Sequence, residues 1–288
     1  RLSTDIDIVV EPGTDIDAYI QKAAAIFPFK SGGEQERKVH GKIEKRHFKF
    51  FYDSPVRSGK ELYILLDVLF EKNHYAQLVQ KEIANDLLLT EGENQLVSIP
   101  SVDCVLGDKL TAFAPYTTGI PLRKEKDMEV IKQFFDVSTL TNEITDFDLV
   151  RRTYFDICDT EIGYRELDIT PADALMDSIQ AAICICSRGK SNEDDFPCYL
   201  RGTRDISQHI YVQGFSMERA ALMAPQVIYL ASCLLAGSAY TRVDDPQPYQ
   251  KEKLTQPDML IMKSLRRGSS IGYAYLVKAD RLLTDYRK

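Results

Sequence analysis

The 288-residue chain lacks the marks of several common protein classes. No apolar run reaches the roughly 20 residues that a membrane helix needs, and no signal peptide is visible. The expectation is therefore a cytoplasmic protein with no membrane association. Positive charge is not in excess. Against 36 Lys and Arg stand 43 Asp and Glu, a formal net charge of −7. That argues against a general nucleic-acid coating protein, while a local basic groove remains compatible with it. The four histidines (His40, His47, His74, His209) are dispersed, and no Cys-x-x-Cys pair or Cys/His spacing for zinc occurs. The six cysteines are scattered, with Cys184 and Cys186 inside the apolar AAICIC, and read as reduced and buried. No Ser or Cys sits in a nucleophile elbow. Internal repeats and low-complexity tracts are also missing. At 44% hydrophobic the chain can fill one large core or two ordinary ones. Arg1 leads directly into a strand pattern, so native residues are expected before it.

What the chain does have is one tetrapeptide twice. TDID occurs as Thr4-Asp5-Ile6-Asp7 and, ten residues later, as Thr14-Asp15-Ile16-Asp17. The first copy runs into IDIVV (6–10), β-branched and apolar, which predicts a buried strand. Glu11-Pro12-Gly13 then predicts a turn. The second copy precedes AYIQKAAAIF, whose composition favours helix. Thr14 or Asp15 suits the N-cap there, and Asp17 suits the first turn, where the helix dipole favours a carboxylate. The second copy thus has a structural explanation.

Further on, residues 42–52 read as a strand mixing basic and aromatic side chains, followed by a turn over 54–59. ELYILLDVLFE reads as a central strand buried on both faces and interrupted by one charge, Asp67. The stretch from Gln77 to Pro100 predicts a short helix and a short strand. From Ser101 the pattern is helical, with Lys109 in the first helix and Ile131, Phe134 and Phe135 on the apolar side of the second. The expected architecture is α+β. A small mixed β-sheet core with flanking helices fills about 1–145, and a mostly helical part fills about 146–288.

Asp5, Asp7 and Asp67 call for a chemical reason. Residues i and i+2 of a strand share a face, so Asp5 and Asp7 point together. A carboxylate inside an apolar strand needs a compensating partner. A lysine of the neighbouring strand, such as Lys49, would serve Asp67, and Asp5 could simply face water. If the Asp67 strand lies beside the Asp5/Asp7 strand, the three carboxylates converge as oxygen ligands for one or two Mg²⁺ or Mn²⁺ ions.

Four ordered stretches resemble one family. RLSTDIDIVV resembles the R-x-S-x-D-I-D signature of the nucleotidyltransferase family of the AbiEii/AbiGii toxins, within the DNA polymerase beta-like superfamily. LLDVLFE resembles its strand with the third carboxylate. VLGDKLTAF resembles its E-K-L-x-A helix, with Lys109 at the lysine. KQFFDVSTL resembles its R/K-D-x-x-D-L-x-x-L helix, with Lys132 and Asp136 in the outer positions. The likeness covers roughly residues 1–145. Two departures accompany it. The family's Gly-Gly or Gly-Ser motif falls upstream of Arg1, and Gln133 stands where the family often has Asp.

The resemblance implies an enzyme that moves a nucleotide from a nucleoside triphosphate to an acceptor hydroxyl. Asp5, Asp7 and Asp67 would hold the metal, and Asp67 would help deprotonate the acceptor. Lys109 would reach the outer phosphates, with Asp136 orienting it or binding nucleotide, and Ser3 and Lys132 would contact nucleotide. By resemblance the acceptor is an RNA end such as a tRNA, and a cognate antitoxin protein is an implied partner. Basic residues that could face RNA cluster at Arg37, Lys38, Lys42, Lys45, Arg46 and Lys49, with Phe48, Phe50 and Phe51 between them. Further basic groups occur at 123–126, 151–152 and 263–267, and the same residues equally suit solvated surfaces. The alternatives are a catalytically inactive nucleotide-binding or protein-interaction module on the same fold, and a metal hydrolase using the same carboxylates.

Overall fold

The computed structural model describes residues 5–35, 44–85, 91–210 and 214–287. The chain divides into two compact units, Arg1–His74 and Tyr75–Lys288. The α+β class read from the sequence is what is found, with small sheets early and a helical remainder.

The first unit holds β1 (Asp5–Val10), α1 (Asp17–Ala24), β2 (Phe29–Glu34), β3 (Glu44–Asp53) and β4 (Glu61–Phe70). The strands form one mixed sheet in the order β1-β4-β3-β2, with β1 parallel to β4 and the other pairs antiparallel. Strand alternation gives the sheet two unlike faces. One carries Phe48, Phe50, Leu66, Val68, Phe70 and Val10. Ile16, Ile20, Ala23 and Ala24, at and within α1, pack onto that face to make the unit's core. The turn between β1 and α1 forms as expected. Gly13 takes φ +82°, where a side chain would be strained, and the Thr14 amide donates to the Glu11 carbonyl at 3.1 Å.

Three local expectations are corrected here. β1 is not buried: it is the last strand of the sheet, and Ile6, Ile8 and Val9 are exposed. β4 is central, but only its α1-facing side is closed, with Val68 and Phe70 buried and Leu65, Asp67 and Leu69 half-buried. The helix cap also differs. Ile16 is the N-cap of α1 and makes no side-chain cap bond. Instead Asp15 Oδ1 accepts from the Asp17 amide at 3.0 Å, just ahead of the helix.

The second unit opens with an antiparallel pair, β5 (Leu78–Glu82) and β6 (Leu96–Pro100). The short helix expected after Gln77 is therefore a strand. Leu78 and Val79 supply strand-forming side chains, and pairing to β6 outweighs the weak helical preference of the lysine and glutamate that follow. Helices α2 (Val102–Ala112), α3 (Asp127–Leu140), α4 (Phe147–Tyr164), α5 (Pro171–Ser187), α6 (Phe196–Ile206) and α7 (Met217–Leu235) follow. Two single-turn helices, α8 (Pro257–Leu260) and α9 (Leu265–Gly268), lead to α10 (Ser270–Tyr286). Several starts are sequence-encoded. Thr170 and Asp173 form a reciprocal capping box with Pro171 at the first helical position, and Asp146 accepts from the Asp148 and Leu149 amides.

One large apolar core joins these helices, with α5 on α7, α7 on α10, α2 on α4 and α3 on α6. Residue 145, where the mixed part was expected to end, lies inside this unit. Asp103 of α2 ties down that point. Its buried carboxylate accepts from the Thr145 amide, the Thr145 hydroxyl (2.6 Å) and the Asp146 amide. All six cysteines are free and buried.

Candidate active site

The sheet face opposite α1 carries the carboxylates. β1 runs parallel to β4 in a register that sets Asp7 beside Asp67 and Asp5 beside Leu65. β3 lies on the other side of β4 and sets His47 beside Asp67. The result is a row across three strands, Asp7 on β1, Asp67 on β4 and His47 on β3, with Asp5 two residues from Asp7 on the same face. Asp5 and Asp7 are exposed, while Asp67 and His47 are half-buried.

Asp67 bonds His47, not Lys49 as the sequence suggested. His47 Nδ1 lies 2.8 Å from Asp67 Oδ1. Lys49 instead sits over the Tyr63 ring, its Nζ 4.3 Å from the centroid. The basic and aromatic side chains of β3 thus sort by face. Phe48 and Phe50 are core, whereas Lys45, His47, Lys49 and Phe51 share the carboxylate face. Arg46 faces the α1 side and is engaged there by Glu34 (2.7 Å) and Asp17 (2.8 Å). Its hydrogen bond holds the Glu34 carboxyl below the ordinary glutamate value. Arg37, Lys38 and Lys42 of the basic cluster, and Arg1 and Ser3, lie outside the described residues.

The second TDID accordingly has structural work on both acids: Asp15 receives a backbone amide and Asp17 an arginine. The first TDID places both of its acids on the open face beside Asp67.

The remaining residues singled out from the sequence belong to the second unit. Lys109 is half-buried near the end of α2. Lys132 and Asp136, one helical turn apart on α3, are also half-buried. Between them Gln133 is buried, and its Oε1 accepts no hydrogen bond. Two cavities in this unit, of about 560 and 210 Å³, are lined by neither Lys109, Lys132 nor Asp136. The acid buried at the smaller one, Asp195, is already bound by Arg123, Tyr116 and Asn192.

Among the described residues, no three His, Cys, Asp or Glu side chains stand close enough together to hold a metal unaided. The row does offer the oxygen donors that Mg²⁺ and Mn²⁺ prefer. Mg²⁺ commonly takes only one or two carboxylates, filling its shell with water and substrate phosphates. The residues present fit an ion that arrives with a nucleotide better than one held in a protein cage.

His47 escaped the sequence reading, because its contact with Asp67 depends on the register of β3 on β4. Residues 54–60 separate the two strands, and the register they adopt brings position 47 opposite position 67.

Comparison with protein families matches residues 1–183 to the family described as nucleotidyl transferase AbiEii toxin, type IV toxin–antitoxin system. No curated protein and no solved structure matches the chain.

Proposed function

The chain belongs to the AbiEii nucleotidyl transferase toxin family of type IV toxin–antitoxin systems, and on that premise we propose that it transfers a nucleotide from a nucleoside triphosphate to an acceptor hydroxyl. The observation that carries this reading is the register of β1 on β4, which sets Asp7 beside Asp67 with Asp5 on the same face. Asp5, Asp7 and Asp67 would hold Mg²⁺ or Mn²⁺. When bound, the ion offsets the charge on the phosphates.

In the reaction, the acceptor oxygen forms a bond to the α-phosphorus. The bond from that phosphorus to the bridging oxygen breaks, and pyrophosphate leaves. The acceptor proton passes to the Asp67 carboxylate and on to solvent. Lys109 is assigned to the outer phosphates as a point charge. Asp136 is assigned to orienting that lysine, and Ser3 and Lys132 to nucleotide contact. The acceptor we favour is an RNA end such as that of a tRNA, with Lys45 beside the row as one phosphate contact. A cognate antitoxin protein is the proposed partner and the cytoplasm the proposed location. Among the described residues no helix is long and apolar enough to cross a membrane.

One observation favours a second reading, a nucleotide-binding module without turnover. Gln133 occupies a position where the family often has Asp, and its oxygen is buried without a partner.

The test uses the chain with its native N-terminus, Mg²⁺, each α-labelled nucleoside triphosphate in turn, and total RNA with cell extract. Label moving onto RNA, lost in Asp7→Ala, is the expected result. Label moving onto protein would keep the reaction and change the acceptor. Nucleotide bound without transfer would favour the module. Release of phosphate without any labelled acceptor would favour a metal hydrolase.

A further inference from the structure

We infer that the smaller cavity of the second unit binds a small alkylammonium ion, with Asp177 on α5 as its counter-charge and the Tyr199 hydroxyl on α6 as a second contact. The inference is independent of the nucleotide-transfer reading.

The cavity has a volume of about 210 Å³, room for a small molecule and not merely one water. Tyr116, Asp177, Asn192, Asp195 and Tyr199 are among the side chains that line it. The first argument is charge. Asp195 is matched, because Arg123 Nη2 donates to it at 2.6 Å and the Tyr116 hydroxyl and the Asn192 amide donate as well. Asp177 is not. It accepts from the Thr117 hydroxyl and from the Tyr116 and Thr117 amides, all neutral donors. Among the described residues no Lys, Arg or His pairs with it. Two carboxylates and one guanidinium leave one negative charge at the cavity. A carboxylate offers about four acceptor positions, so three donors leave room for a fourth.

The second argument is Tyr199. It is 1% exposed, and among the described residues its hydroxyl makes no hydrogen bond. Burial raises its pKa well above the ordinary value, and the groups that act on it next are Cys184, Asp195, Asp177 and Tyr116. All four line the same cavity, so the hydroxyl faces into it. The Asn192 side chain, by contrast, is engaged at both ends, donating to Asp195 and accepting from its amide.

Acceptor capacity beside an unmatched negative charge suits a group that only donates and is positively charged, as –NH₃⁺ is. A guanidinium fits less well. It seeks both oxygens of a carboxylate side by side, and Asp177 Oδ2 already takes two hydrogen bonds. A metal ion also fits less well, since no three His, Cys, Asp or Glu among the described residues stand together. The exposed lining residues Tyr116, Gln180 and Ser191 open the cavity to solvent.

The test is calorimetric titration of the full chain at about pH 8, where carboxylates are ionised and alkylamines protonated. The probes are n-butylammonium, 1,4-diaminobutane, lysine blocked at both backbone ends, and n-butanol as a neutral match, each up to roughly 10 mM. Native protein is compared with Asp177→Asn, Tyr199→Phe and Glu193→Gln, an exposed acid nearby in the chain, and circular dichroism checks the folds. The expected result is that n-butylammonium binds and n-butanol does not. Asp177→Asn should weaken the amine by roughly 10-fold or more and Tyr199→Phe by about threefold, with Glu193→Gln at the native level. Blocked lysine binding as well as n-butylammonium would identify a protein side chain as the source of the ammonium. The diamine binding while blocked lysine does not would identify a free amine. The inference is overturned if no amine binds native protein, if n-butanol binds equally well, or if either Asp177→Asn or Tyr199→Phe binds the amine like native.

Discussion

Arg46 reaches Asp17 at 2.8 Å while also bonding Glu34, and this ion pair separates the two copies of TDID. Asp17 is spent on tying the start of α1 to β3. Its side chain is 61% exposed, so the pair is worth at most about 1 kcal/mol. Asp17→Ala should lower the urea midpoint slightly and leave nucleotide transfer at the native level. Asp7→Ala should abolish transfer and leave the midpoint within about 0.5 kcal/mol of native, since Asp7 is an exposed strand residue. The reverse pattern would assign the chemistry to the other copy.

Asp103 is 3% exposed and accepts three hydrogen bonds from Thr145 and Asp146. Its removal would leave the Thr145 and Asp146 amides and the Thr145 hydroxyl without this acceptor at the entrance to α4. Asp103→Ala should cost about 1–3 kcal/mol, and Asp103→Asn less, because the amide oxygen still accepts. Denaturant unfolding of the two variants checks the order. Equal and negligible losses would show that water replaces the carboxylate.

At Gly107 α2 and α4 approach closely. A Cβ there would lie 2.7 Å from the Val150 carbonyl oxygen and 2.9 Å from the Tyr154 nitrogen, both backbone atoms that cannot swing away. Gly107→Ala should therefore destabilise by about 1–3 kcal/mol, the usual cost of overpacking, despite alanine's better helix propensity. Gly163, near the end of α4, meets nothing within 4 Å. Gly163→Ala should stabilise by up to about 1 kcal/mol. Thermal unfolding of the pair should shift in opposite directions.

These features differ in how far the sequence announced them. The start of α5 was legible, because Thr170 before Pro171 is local capping chemistry, whereas the cap expected of Thr14 or Asp15 was not what α1 uses. The Asp5/Asp7 pair was legible for the same reason, since strand alternation is local. The exposure of β1 was not. IDIVV has the composition of a buried strand, and only its place at the end of the sheet leaves it open. Nor was the Asp67–His47 contact, which depends on the register between two strands. Residues Leu78–Glu82 misled because a five-residue segment is too short for periodicity to tell helix from strand.

Asp177 on α5 gives a pH dependence with a definite sign. Burial pushes its carboxyl above the ordinary 3.8, against the lowering effect of hydrogen bonds from the Thr117 hydroxyl (2.9 Å) and the Tyr116 amide (2.7 Å). The nearby Asp195 charge raises it further, and Arg123 is bound to Asp195. The folded state thus holds this proton more tightly than the unfolded chain. Below about pH 3.8 both states are protonated and the carboxyl costs nothing. As pH rises through the raised value, the folded state alone must surrender a favoured proton, and stability falls. Asp177→Asn cannot titrate. Relative to native protein it should gain stability as pH climbs from about 4, levelling off once the native carboxyl is ionised. Any hydrogen bond lost in the amide offsets the curve without changing its slope. Urea midpoints of both proteins across that range check the prediction, and a pH-independent difference would mean that Asp177 ionises in the folded protein as it does in the unfolded chain.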